Sequence, residues 1–139
     1  MIPVIYIAGP YTRPDPCQNT NRAIHFADTL MEGPVCWPLV PHLSHLWHTV
    51  APRPWTDWIA LDLALLERCD GLIRLTGDSD GADMEVRKAR ELGLPMLLDI
   101  DPDSFWAPRV TAWIADLWGD RGDETSSNNN RKAQPHGTG

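Results

Sequence analysis

The chain has 139 residues, 42% of them hydrophobic and 22% charged, which is the length and composition of one globular domain with a single packed core. Its net charge of −7 excludes a general binder of duplex DNA or RNA, whose phosphate contacts need a basic surface. No nucleic-acid polymer is therefore expected as a partner, although a mononucleotide can be held by a few amides and hydroxyls.

No apolar run approaches the roughly 18 residues that a membrane helix requires, so no membrane partner is expected. The first ten residues lack a basic segment and read as a strand, not as a signal peptide. Three cysteines without CxxC spacing argue against a disulfide framework or a zinc knuckle, and a reducing, cytoplasmic setting is expected.

In chain order, Val4-Ile5-Tyr6-Ile7-Ala8 is a short β-branched run closed by Gly9-Pro10, the pattern of a buried strand entering a turn. After a polar, proline-containing loop over residues 11–19, Ala23, Phe26, Ala27 and Leu30 recur at helical spacing, with Gly33 as a stop. Val35-Cys36-Trp37 reads as a second strand ended by Pro38. Residues 38–54 carry three histidines and four prolines and read as a long connection, a common place for function.

Residues 55–68 are predicted helical, with Trp55, Trp58, Ile59, Asp62, Leu63 and Leu66 on adjoining faces. Residues 71–75 form a third strand, residues 81–92 a helix stopped by Gly93, and residues 95–99 a fourth strand. A last helix near residues 106–118 places Val110, Trp113, Ile114 and Leu117 at helical spacing. From residue 119 the composition turns to Asp, Ser, Asn, Gly and Lys. Residues 119–139 are expected to be a disordered tail after a domain over residues 1–118, because so little apolar surface does not offset the entropy of ordering.

Strands alternating with helices predict an α/β fold with parallel strands and right-handed crossovers. The expected architecture is a flavodoxin-like, Rossmann-like three-layer sandwich with a parallel sheet of four or five strands in the order 2-1-3-4. Ligands of such sheets sit beyond the carboxyl ends of strands one and three, which singles out the loops after Ala8 and after Leu75.

The second of those loops runs Thr76-Gly77-Asp78-Ser79-Asp80-Gly81-Ala82-Asp83-Met84-Glu85. Ser79 or Asp80 suits an N-cap, and Asp83 suits the positive end of the helix dipole. Glu85, one turn further in, is either a solvated carboxylate or one facing the crevice. Asp62 lies on an exposed helical face or supplies a second carboxylate, and two carboxylates can divide the work of glycoside cleavage. Tyr6 is a core aromatic or a phenol that holds a carboxylate in place.

Three segments together resemble the nucleoside 2-deoxyribosyltransferases and the related 2′-deoxynucleoside 5′-phosphate N-hydrolases. They are Val4 through Pro10, Asp62-Leu63-Ala64-Leu65-Leu66-Glu67-Arg68-Cys69-Asp70, and Ser79-Asp80-Gly81-Ala82-Asp83-Met84-Glu85 running on to Ala89 and Gly93-Leu94-Pro95. The resemblance implies that Glu85 attacks the anomeric carbon, that Asp62 helps protonate the leaving base, and that Tyr6 positions the glutamate. It places Ser79, Gly81 and Ala82 at the substrate, with Ser79 where the phosphate-binding hydrolases carry serine. Gly9 would let sugar or phosphate approach the backbone.

After Gly9 this chain has Pro10, Tyr11, Thr12 and Arg13. Pro10 offers a phosphate neither an N–H nor a hydroxyl, which leaves Thr12 and Arg13 to contact it. The resemblance further implies no metal or organic cofactor, a small nucleoside or nucleotide as partner, and a homodimer or larger homo-oligomer.

His42, His45 and His48 suggest a metal site, but steps of three on a helix put the outer two about 120° apart. A loop lining the base pocket, with His42 in it, is the preferred reading. Of the seven tryptophans, Trp37, Trp47, Trp55 and Trp58 are candidates to stack on a nucleobase or a second subunit. The segment Thr76-Gly77-Asp78 lacks the spacing of a dinucleotide or triphosphate loop. The competing function is a nucleotide-binding sensor or regulatory module without turnover, which has no need of Tyr6, Asp62 and Glu85 together.

Overall fold

The computed structural model describes residues 1–33 and 35–119. The expected disordered tail lies outside these residues apart from Gly119. The elements are β1 (Val4–Ala8), α1 (Pro16–Glu32), β2 (Trp37–Leu39), a 3-10 turn (Pro41–Leu43), α2 (Ser44–Val50), α3 (Trp55–Leu66), β3 (Gly71–Leu75), α4 (Asp80–Glu91), β4 (Met96–Ile100) and α5 (Ala107–Ile114). A π-helical turn, Ala115–Gly119, extends α5.

Four parallel strands pair in the order β2-β1-β3-β4, the expected flavodoxin-like sheet. Helices cover both faces. Ile5 and Ile7 of β1, with Ile73 and Leu75 of β3, pack against Phe26 and Leu30 of α1 and Val110 and Ile114 of α5. The alternate residues Tyr6, Ala8 and Leu72 pack against Leu66 of α3 and Ala82 and Ala89 of α4. The period of two along β1 therefore places Tyr6 on the same face as the helices that carry Asp62 and Glu85.

Three boundaries differ from those read in the sequence. Pro38 does not end β2 but lies inside it, paired with Ile5, because β2 is an edge strand and its missing N–H takes no ladder bond from the sheet. Residues 11–19 are not all loop. Asp15 caps α1 by accepting from the amides of Cys17 (2.8 Å) and Gln18 (3.0 Å), and Pro16 fits the first helical position, where no N–H is needed. Residues 38–54 are not one open connection but hold the 3-10 turn and α2. Helix α2 buries no residue of its own and leans on α3 through Trp47 and His48, whose rings stand edge-on to Trp58 at 5.2 and 5.7 Å.

At the carboxyl ends of β1 and β3 the two loops touch. Gly77 has φ of +120°, and a Cβ there would lie 2.6 Å from Cγ of Pro10. Both the backbone and the contact demand glycine. Gly77→Ala is expected to destabilise the fold by about 2 kcal/mol or more, visible as a lower urea midpoint with an unchanged slope.

Candidate active site

A cavity of about 740 Å³ opens at the point where the two loops meet. This lies within the roughly 300–1,000 Å³ usual for small-molecule sites, and in the crevice that the strand order marks out. Glu85 and Asp62 both line it, as do all nine residues expected at the substrate: Gly9, Pro10, Tyr11, Thr12 and Arg13 from the first loop, His42 from the 3-10 turn, and Ser79, Gly81 and Ala82 from the start of α4. Tyr6 does not reach the cavity surface. It lies beneath, with no exposure to solvent.

Glu85 is placed by helix geometry. Ala82, Glu85 and Ala89 share the face of α4 that packs on the sheet, so the carboxyl group points inward between two small residues. It is 5% exposed, not a solvated first-turn carboxylate. Asp62, half-buried on α3, faces it from the adjoining helix.

Burial holds Glu85 well above the usual carboxylate range, to about 8, with the Asp62 charge adding to the rise, while the Tyr6 hydroxyl and the Arg74 guanidinium pull it down. Burial also raises Asp62, to about 7. The Tyr6 phenol is pushed above its usual range by burial first and then by the two carboxylates. Tyr6 and Glu85 are near enough to couple electrically, yet the pair is not closed into a well-formed hydrogen bond. Neither Tyr6 Oη nor Glu85 Oε2 has a hydrogen-bond partner among the described residues. Buried polar atoms without a partner are uncommon in folded proteins, and here two lie on neighbouring side chains beside the cavity.

Arg74 is a largely buried charge near the site that the sequence reading passed over. It is the one charged residue of β3, pairs across from Ala8, and lies on the face shared with Leu72. Its guanidinium donates to the carbonyls of Leu75 and Gly77 (2.9 Å for Gly77) and to Asp83 Oδ1 at 3.1 Å. It thereby ties the second loop to α4 and sets a positive charge behind Glu85. A lone arginine in an otherwise apolar strand was the available signal, since buried charge needs a partner. Asn19 was also missed. Its side-chain amide donates to the carbonyls of Tyr11 (3.0 Å) and Arg13 (2.8 Å) and holds the first loop over the cavity.

The three histidines do separate work and do not converge. His42, 4% exposed, donates from Nε2 to the Pro10 carbonyl at 3.0 Å, and burial keeps its ring below the usual pKa and so neutral. His45 Nδ1 meets the Tyr11 hydroxyl at 2.8 Å. His48 Nδ1 accepts from the indole N–H of Trp58 at 2.9 Å, a group that only donates, so Nδ1 carries no proton. Two of the three thus pin the first loop, and the third seats α2 on α3.

Gly9 gains a second role, and the expected N-cap of α4 resolves to Ser79 over Asp80. A Cβ on Gly9 would meet Leu75 Cβ at 3.2 Å, so the absent side chain serves strand packing as well as access to the cavity. Ser79 is the N-cap of α4, its Oγ accepting from the Ala82 amide at 3.1 Å. Of the tryptophans proposed to stack, Trp55 and Trp58 line the cavity. Trp37 and Trp47 are largely exposed and lie outside that lining.

Among the described residues no helix is long and apolar enough to cross a membrane, and Cys17, Cys36 and Cys69 are unpaired. The chain matches no protein-family model and no curated protein.

Proposed function

We propose that this chain breaks the N-glycosidic bond of a nucleoside or nucleoside 5′-monophosphate by a retaining route, handing the sugar to water or to a second base. The observation that carries this reading is Glu85: a carboxyl group buried on the floor of a nucleoside-sized cavity, with one oxygen unpartnered and a second carboxyl group on the same wall. Burying an unpartnered carboxyl costs stability and packs nothing better than an aliphatic side chain would. The resemblance to the deoxyribosyltransferases and the monophosphate N-hydrolases supports the same roles. It also suggests a homo-oligomer in the cytoplasm.

In the proposed reaction a Glu85 oxygen attacks C1′ as the C1′–N bond breaks. The bonding electron pair leaves with the base, which takes a proton from Asp62, and the sugar is held as an ester of Glu85. Water then attacks C1′, Asp62 takes its proton, and the ester bond returns its electron pair to Glu85. An acceptor base in place of water gives a new nucleoside. No metal or organic cofactor enters these steps.

Near neutral pH the two carboxyl groups together retain about one proton, and the reaction needs it on Asp62. Burial leaves the higher proton affinity on Glu85, at about 8 against about 7 for Asp62, with the opposing pulls of Tyr6 and Arg74 already included. A base seated over the more open Asp62 strips its water and raises its proton affinity further. The proposed chemistry therefore requires substrate binding to shift the proton from Glu85 to Asp62.

The test is incubation with mixed nucleosides and monophosphates, with and without an added acceptor base, read by chromatography. Free base marks a hydrolase, and a new nucleoside marks a transferase. Binding with no product after long incubation would leave a nucleotide-binding module instead.

A further inference from the structure

Helix α2 has two unlike sides. One is engaged: Ser44 and His48 line the cavity, His45 meets the Tyr11 hydroxyl, and His48 takes the indole N–H of Trp58. The other carries Leu46, Trp47 and Val50, which follow Leu43 by three, four and seven residues and so fall with it on one stripe. Such spacing ordinarily points large apolar side chains into a core. Among the described residues nothing covers this stripe, and each of its four side chains is at least 53% exposed. Together they leave on the order of 500 Å² of adjoining apolar surface in water, more than scattered surface residues account for.

Composition and charge narrow what covers it. The residues beyond Gly119 contain no Val, Ile, Leu, Met, Phe, Trp or Tyr, so the chain's own carboxyl-terminal segment is too polar. A lipid surface fits poorly, because a helix lying on a membrane sets Lys or Arg beside its apolar face. Helix α2 has neither, and the chain carries −7. That charge also keeps copies of the chain apart wherever their acidic surfaces meet. Residues 33–52 are the exception: in a chain that is 22% charged they hold no Asp, Glu, Lys or Arg. In a twofold contact each patch meets its own duplicate, so a neutral apolar stripe matches itself where a charged one does not.

We infer that the outer stripe of α2 is the contact between two copies of this chain. Its four side chains supply an apolar centre somewhat smaller than the roughly 800 Å² per partner of a standard interface, which suits a dimer that separates on dilution. Pairing also holds in place the helix that brings Ser44 and His48 to the cavity wall, a helix with no buried residue of its own. The inference does not rest on the proposed reaction.

The experiment is analytical ultracentrifugation of the full chain without substrate, at about 0.5 µM and about 500 µM. A mass near twice 15.6 kDa is expected at the higher concentration, falling toward the single-chain mass at the lower. Leu46→Lys/Val50→Lys should be a monomer at both, with an unchanged far-ultraviolet circular dichroism spectrum. Lysine brings the net charge closer to zero, so general repulsion does not explain that loss. Hydrogen exchange of the wild type needs no variant: amides of α2 should exchange about threefold or more slowly at the higher concentration, and those of β1 equally at both. A wild type that is single at about 500 µM, or still paired at about 0.5 µM, overturns the inference. So does a folded variant that pairs, or exchange in α2 that ignores concentration. Base release is read separately, so none of these outcomes bears on the glycosidic reading.

Discussion

Glu85→Gln is expected to lower the rate of base release by about 10⁴-fold or more, because the amide does not form the glycosyl ester and no neighbouring group replaces it. The same variant is expected to be more stable than the wild type at alkaline pH, which separates loss of chemistry from loss of fold. The sign follows from the proton affinity. In the unfolded chain Glu85 ionises near the ordinary value of about 4.3, and in the folded chain at about 8.

Between these values the folded state holds a proton that the unfolded state has released, so stability falls as pH rises, and above pH 8 the loss is complete. Each tenfold change in proton affinity is worth about 1.4 kcal/mol, which sets an upper bound of about 5 kcal/mol on the loss, reduced by any water that enters the cavity. Glutamine carries no charge at any pH and avoids that loss. Urea unfolding at pH 5 and pH 9 should show the variant and wild type close together at the lower pH and well apart at the higher. A variant less stable than wild type at pH 9, or one that still releases base at near wild-type rate, would remove Glu85 from its role.

The second large effect is expected at Asp62. Asp62→Asn should slow release of an ordinary base by about 100-fold or more, the usual worth of a general acid, and should slow a substrate whose leaving group needs no proton far less. The pH dependence should change as well. With wild type, kcat/KM is expected to be bell-shaped around neutrality, falling in acid as the pair takes up its second proton and in alkali as it loses its last. Without the Asp62 carboxyl the alkaline limb should disappear, and the acid limb should move down, because a neighbouring negative charge that raised Glu85 has gone. A bell of unchanged shape in the variant would mean that another group supplies the proton.

The fold was legible wherever the signal was local. The β-branched run ended by Gly9-Pro10, the helical spacing from Ala23 to Leu30 and the stop at Gly93 each predict an element from its own residues, and all three stand in the structure. Pro38 misled because a proline is acceptable in an edge strand and unacceptable in a central one, and no residue near Pro38 says which β2 is. The same limit hid Arg74 and Asn19. Their partners at Gly77, Asp83, Tyr11 and Arg13 lie on other elements or loops, and a polar side chain is read as solvated until its neighbours are known.

Alternation of strands and helices, with their caps and glycine stops, is written in short stretches of chain, and it determined the parallel sheet and the crevice at its carboxyl edge. Which carboxyl groups lost their water was decided only by packing. Glu85 and Asp83 are two residues apart on one helix, yet one lies buried over Tyr6 and the other is exposed beside Arg74. Proton affinity follows the dielectric and the charges around a group, and those come from strands and helices far away in the sequence.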